Sequence, residues 1–318
     1  MLNNQDFALL RSKSLGGSDI GAILGLSSYR TAVDVWMEKT GKQIDQKDHI
    51  ALRFGQFAEE FVASEYARAT QSILATHDSA VIHPEYDYMH GHIDRFVLED
   101  GVTVMDETGR IHAKKILECK TANPFAQSDW GDVGSDQVPL SYLVQCAWYM
   151  MITNLQQTDL AVLFGNTDFR IYSIQRDAEL EDIILNRAKE FWQSYVLGDT
   201  PPPAHSEADL NKLFKNSAPN KVLEASSASY ELIQKLKDLN TRIKHHEEEV
   251  DEIKQKIMEQ MQDAEVLTYQ GQTLASWKTP KPSFRLDSKE LSKSHPELAK
   301  QFQIPIQNSR RFVLKELP

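Results

Sequence analysis

Apolar residues recur along the chain with two different periods. Residues 19–25 and 31–41 have helical spacing, the second as TAVDVWMEKTG, with Val35, Trp36 and Lys39 on one side and Gly41 as a stop. Residues 50–69 continue it: Phe54, Phe57, Ala58, Phe61, Val62 and Tyr66 form an apolar stripe one helix face wide. The period then shortens. SILATHDSAVIHP, YDYMHGHIDRFVLED, VTVMDETGRIHAKKILECKT, DLAVLFGN and DFRIYSIQR are rich in β-branched and aromatic residues, with DG, TG and GN as turn signals. Residues 138–153 and 177–197 return to helical spacing and predict two helices that cover the sheet. The fold class expected is α/β, over a core of about 200 residues.

GDTPPPAHS, residues 198–206, ends this pattern, because three successive prolines cannot continue a helix. The expected organisation is a core over 1–200, a linker with a short helix over 201–227, and a C-terminal region over 228–318. That region opens with one long predicted helix, 228–262. In it Leu236, Ile243, Val250 and Ile257 recur every seven positions, with Leu239, His246, Ile253 and Gln260 in the second seam position. Such a seam needs a partner, either another subunit or the core, and the region as a whole is open to oligomerisation, to docking an annealing protein or to clamping DNA. VLTYQGQTLASWKTP predicts a hairpin turning at Gly271, and RRFVLK a terminal strand.

Composition narrows the function classes. The chain has 318 residues, 41% hydrophobic and 25% charged, in the range of globular proteins. No apolar run approaches the ~20 residues that span a bilayer, and the N-terminus lacks a signal-peptide layout, so the expectation is a cytoplasmic protein without membrane partners. Cys119 and Cys146 are the only cysteines, which excludes a disulfide framework and a cysteine-rich zinc site. Any metal must therefore use oxygen ligands. A formal net charge of −11 argues against broad adhesion to nucleic acid but leaves room for a locally basic cleft.

ILECKTA, residues 116–122, carries the candidate chemistry. Alternation along a strand points Glu118 and Lys120 one way and Leu117, Cys119 and Thr121 the other. An edge strand with a solvated charged face would look the same. Asp94, at the end of the GHIDRFV segment, changes the weighing, since a meandering sheet brings it near Glu118. Asp94 and Glu118 supply the hard oxygens that Mg²⁺ prefers, and the Cys119 carbonyl adds a third ligand. Lys120 would then stabilise charge on a phosphoryl group, which makes phosphodiester hydrolysis the chemistry expected.

Asp94…Glu118-Cys119-Lys120 resembles the D…(D/E)-X-K nuclease core. GGSDIGAILGLSSYRTAVDVWMEKTG, residues 16–41, resembles the opening of phage-recombination exonucleases of the YqaJ type, relatives of lambda exonuclease. That resemblance, over about 8–200, implies a restriction-endonuclease-like core: a central mixed sheet flanked by helices, with the coiled-coil-like helix and hairpin as an appendage. It implies that Arg11 and a helix-capping Ser18 bind the 5′-phosphate of a DNA end, a helix start being suited to an anion. Glu59, four residues after Gly55, matches the family's helix glutamate near the metal, although the neighbouring Glu60 competes for that place. Gln145 and Tyr149, one helical turn apart, resemble a Gln-X-X-X-Tyr element, with Gln145 near the reacting water and Tyr149 near DNA. His90 and His92 read as structural or surface residues. Arg110, His112, Lys114 and Lys115 make the approach to Glu118 basic.

The function expected is thus a Mg²⁺-dependent exonuclease, with Mn²⁺ as a substitute, that digests one strand of linear duplex DNA 5′ to 3′. A ring-shaped homo-oligomer, such as a trimer, and a single-strand annealing partner are implied by the resemblance only. An endonuclease on the same core and a non-enzymatic scaffold are the rival readings.

Overall fold

The change of period falls where the chain leaves helices and enters a sheet. The structure is a computed structural model that describes residues 13–42, 50–99, 104–106, 110–304 and 310–315. Two compact units divide it, Met1–Lys215 and Asn216–Pro318.

The first unit begins with helices α1 (Gly17–Ile23), α2 (Ala32–Lys39) and α3 (Ile50–Thr70). The strands follow: β1 (Ile73–Ala75), β2 (Val81–Ile82), β3 (His90–Gly91), β4 (Arg95–Leu98) and β5 (Lys115–Ala122). Helix α4 (Leu140–Thr153) leads to β6 (Gln157–Phe164) and β7 (Asp168–Gln175), and then to α5 (Ala178–Glu190). The main sheet has the order β1-β4-β5-β6-β7. β5 and β6 run parallel, joined by the α4 crossover, and the other pairs are antiparallel. This is the expected mixed sheet flanked by helices. Because β5 is the middle strand of five, the reading of ILECKTA as a solvated edge is wrong: helices cover both faces of β5 and Glu118 is buried.

The two faces of β5 belong to separate cores. Ile116 packs with Phe96, Trp148, Leu160 and Phe164 on the α4 side, whereas Leu117 and Cys119 pack with Val62, Ala63 and Tyr66 of α3. Under α3 the buried Asp159 accepts hydrogen bonds from Tyr66 Oη at 2.6 Å and Ser173 Oγ at 3.1 Å, and an ion pair from Lys115. α3 buries Ala58, Val62, Ala63 and Tyr66, but Phe54, Phe57 and Phe61 stay exposed, contrary to the stripe expected of them. Phe57 and Phe61 each precede a buried residue by one position, which turns them about 100° away from the sheet. Phe54 stands one turn before that contact begins.

The helix expected over 177–197 changes character at Phe191: Phe191–Leu197 is a wider π-helical turn, with Phe191 and Trp192 buried and Trp192 stacked on Tyr88 at 4.9 Å. A short α6 (Glu207–Leu213) closes the unit, its Asp209 accepting from Thr31 Oγ1 at 2.7 Å.

The second unit is built on α7 (Ser227–Met261), 35 residues long and capped by Ser226. A hairpin follows, β8 (Val266–Tyr269) and β9 (Gln272–Ser276), whose turn needs positive φ at Gln270 (48°) and Gly271 (80°). Short helices α8 (Ser288–Ser294) and α9 (Pro296–Gln301) come next. Residues 310–315 form no strand, so the terminal strand read in RRFVLK is not present among the described residues.

Candidate active site

The register of β4 on β5 sets Asp94 in place. β4 starts at Arg95, paired with Leu117, so no β4 residue lies opposite Cys119. The Cys119 N–H would be left without a strand partner there, and it donates to Asp94 Oδ2 at 2.8 Å. Asp94 is therefore held by the backbone of the strand that carries Glu118.

Glu118 projects from the α4 face of β5 and is 1% exposed. Its Oε1 accepts from Gln145 Nε2 at 2.7 Å and from the Lys120 ammonium. Its Oε2 is equally shielded and has no hydrogen-bond partner among the described residues. Burial, reinforced by the Asp94 carboxylate, pushes the Glu118 carboxyl well above the usual range, with Lys120 pulling the other way. Burial alone would depress Lys120, but Glu118 and Asp94 outweigh it and hold the ammonium charged.

Glu59 and Glu60 compete for one place, and the helix resolves the competition. Glu60 is 79% exposed at its side chain against 33% for Glu59. Glu59 faces the cluster, where burial and Asp94 raise its carboxyl against the opposing pull of Arg95 and Lys120. Arg95 was not singled out from the sequence, yet it binds Glu59 Oε1 at 2.7 Å, Glu60 Oε2 at 2.6 Å and the Asp94 carbonyl. A basic residue beside the candidate aspartate, in IDRF, was the available signal.

Gln145 and Tyr149 lie one turn apart on α4. The Gln145 amide donates to Tyr149 Oη at 2.9 Å as well as to Glu118, one hydrogen for each. Tyr149 is held by close backbone approach: a Cβ on Gly17 would stand 2.7 Å from Tyr149 Cε1, and one on Gly91 3.1 Å from Cδ1. Gly17, the second glycine of the GGSD segment, thus has a packing reason that connects α1 to the carboxylates.

Ser18 is exposed in the otherwise buried first turn of α1 but is not its cap. Gly16 is the cap, its N–H donating to Asp19 Oδ2 at 3.0 Å, and Asp19 is itself bound by Arg30 and Lys39, each at 2.9 Å. Arg11 lies outside the described residues. His90 is buried; its backbone carbonyl accepts from Trp148 Nε1 at 2.8 Å and its ring meets His92 edge-on at 5.3 Å, in keeping with a structural part. The basic approach is partly spent internally: His112 contacts Asp106 at 2.6 Å and Lys115 pairs with Asp159, leaving Lys114 exposed.

No group of three or more His, Cys, Asp and Glu side chains among the described residues is arranged to hold a metal ion. The set that fits a hard divalent cation is smaller: Asp94, Glu118 and a backbone carbonyl, with Glu59 facing them while paired with Arg95. A buried carboxylate oxygen with no donor, Glu118 Oε2, is the atom such a cation would satisfy.

Three comparisons bear on this arrangement. Residues 6–156 match the YqaJ-like viral recombinase domain. Protein YqaJ of Bacillus subtilis (strain 168) is 29% identical over 323 aligned positions, which cover 99% of this chain and 95% of that protein. Among solved structures, the alkaline exonuclease LHK-Exo of Laribacter hongkongensis is 15% identical over 62% of this chain and 94% of its own, with a TM-score of 0.48. A phage-related exonuclease of Haemophilus somnus 129PT is 15% identical over 58% and 95%, with a TM-score of 0.42. No helix among the described residues is long and apolar enough to cross a membrane. The segment that matches the YqaJ-like viral recombinase domain, residues 6–156, contains Glu59, Asp94, Glu118, Lys120, Gln145 and Tyr149.

Proposed function

We propose that the chain is a Mg²⁺-dependent deoxyribonuclease that digests one strand of linear double-stranded DNA from its end, 5′ to 3′, leaving single strand for phage-type recombination. The observation that carries this reading is the buried Glu118, with one oxygen engaged by Lys120 and Gln145 and the other without a donor, beside Asp94. Asp94, Glu118, the Cys119 carbonyl and Glu59 would hold Mg²⁺, or Mn²⁺ in its place. The bound ion supplies a Lewis acid that offsets negative charge building on the phosphoryl oxygens.

The chain's own residues do the rest. The Lys120 ammonium, fixed by Glu118, presents a positive donor to the scissile phosphate and the attacking water. Gln145 fixes the Glu118 carboxylate, and Tyr149, wedged between Gly17 and Gly91, fixes Gln145. Arg95 keeps Glu59 and Glu60 apart and so decides which carboxylate faces the cluster. Arg11 and Ser18 are assigned to the 5′-phosphate; Tyr149, expected from the sequence beside DNA, is buried and acts through Gln145 instead. A ring-shaped homo-oligomer, with a trimer as the simplest case, and a single-strand annealing protein complete the proposed assembly.

The test uses linear duplexes with 5′-phosphate or 5′-hydroxyl ends beside a covalently closed circle, in Mg²⁺ or EDTA. The expected result is metal-dependent loss of one strand of the linear substrate, faster with 5′-phosphate, with Lys120→Ala slower by about 10²–10³-fold. Cutting of the circle would favour an endonuclease, and absence of any Lys120-dependent cutting would overturn the enzymatic reading.

A further inference from the structure

The middle of α7 exposes the apolar seam that the heptads describe: Leu239, Ile243, Val250 and Ile253 are 40–57% exposed. A shallow groove runs along it between Ile243, His246, Glu247, Val250, Asp251 and Lys254. The helix is about 52 Å long at ~1.5 Å per residue. We propose that this seam is covered by the same seam of another copy of the chain, in a parallel, in-register coiled coil. The inference is independent of the nuclease reading.

Charge placement fits a second copy of this helix as the occupant. With Leu236, Ile243, Val250 and Ile257 in the first seam position, Arg242 and Glu249 flank one side of the seam and Glu247 and Lys254 the other. In a parallel pair each flanking residue meets the one five positions further on in the second copy. Arg242 then faces the second copy's Glu247, and Glu249 faces its Lys254. Both contacts are attractive and both are formed twice by symmetry. Glu249 now accepts from His246 at 2.9 Å and Lys254 pairs with Asp251 at 3.1 Å within one helix, so the groups that would exchange partners already lie at the groove.

Apolar matching points the same way. A parallel pair sets Ile243, Val250 and Ile253 each against itself and confines the polar groups to two self-matched layers, His246 against His246 in the middle and Gln260 against Gln260 near the end, which fix the register. The antiparallel register with matched charges, Glu249 with Lys256 and Glu247 with Lys254, sets Ile243 against Gln260 and Ile257 against His246. That layering places polar groups against most of the apolar seam.

The test is the mass of the full chain by sedimentation equilibrium at micromolar concentration. Two or three copies are expected, with Ile243→Asp/Val250→Asp monomeric at unchanged helical content, because both side chains are exposed in the single copy. Arg242→Glu should weaken association about tenfold, and Arg242→Glu/Glu247→Arg should restore it. His246→Leu should tighten association by removing the central polar layer. A monomeric parent, as would follow if the first unit or an unrelated protein covers the seam, overturns the proposal. So does an oligomer indifferent to the seam substitutions. Failure of the double charge swap to restore association overturns the parallel direction.

Discussion

Gly17→Ala sets two effects of opposite sign against each other. In the first turn of a helix, alanine in place of glycine should stabilise by at most about 1 kcal/mol. The added methyl would, however, stand 2.7 Å from Tyr149 Cε1, 2.9 Å from Cζ and 3.1 Å from Oη. Carbon atoms pack favourably only from about 3.5 Å, so roughly 0.8 Å must be found. The ring cannot retreat easily, since it is 5% exposed and the Gly91 backbone also closes on its Cδ1–Cε1 edge. Overpacking of this kind costs about 1–3 kcal/mol, so with the full alanine gain subtracted the net expectation is destabilisation by up to about 2 kcal/mol. A ring that does shift carries Gln145 and then Glu118 with it, and a displacement near 1 Å at the reacting groups lowers the rate about 10²-fold. Urea unfolding reads the first effect and single-turnover digestion of end-labelled linear duplex reads the second. A double-mutant cycle with Tyr149→Leu should show the glycine penalty shrinking when the ring is gone. A Gly17→Ala variant at least as stable as the parent, with full activity, would refute the wedge.

Two further outcomes follow from the ion pairs. Burial would raise the Asp19 carboxyl, but the Lys39 and Arg30 charges hold it below the usual range, so its stabilisation is present above the unfolded value of about 3.9 and is lost as pH falls through the lower folded value. Asp19→Asn should cost about 3–5 kcal/mol at pH 7, with the gap to the parent narrowing below about pH 4, and a gap equally wide at pH 3 in denaturant titrations would refute the assignment. Arg95→Lys keeps the charge but loses the fork that spans Glu59 and Glu60, so strand digestion should slow by about 10–100-fold without loss of fold, and an unchanged single-turnover rate would remove Arg95 from the site.

Much of this was legible because alternation and helical spacing are local. Glu118 and Lys120 share a face as the period of two requires, and α7 and the Gly271 hairpin lie where heptads and turn residues indicate. The helix of α3 was legible but not its orientation. Phe54, Phe57 and Phe61 outrank Ala58 and Ala63 in hydrophobicity, and only the sheet shows that the small residues make the closer contact. The central place of β5 was hidden for a related reason: buried charge looks like solvated charge until the covering helix is known. Arg95 escaped notice because its value lies in joining α3 to β4, residues 35 and 36 positions apart.

The Arg95 bridge also settles a matter of charge balance. Asp94, Glu118, Glu59 and Glu60 with Lys120 and Arg95 make four formal negative charges and two positive ones, all within one chain of contacts. With every carboxylate ionised, as a bound cation would make Glu118 and Glu59, the surplus is two negative charges, the amount one divalent ion would cancel. A cluster so composed is neutral with a single ion in it. Any further cation has to arrive with its counter-charge, and the phosphates of a DNA strand are the counter-charge that the proposed substrate would bring.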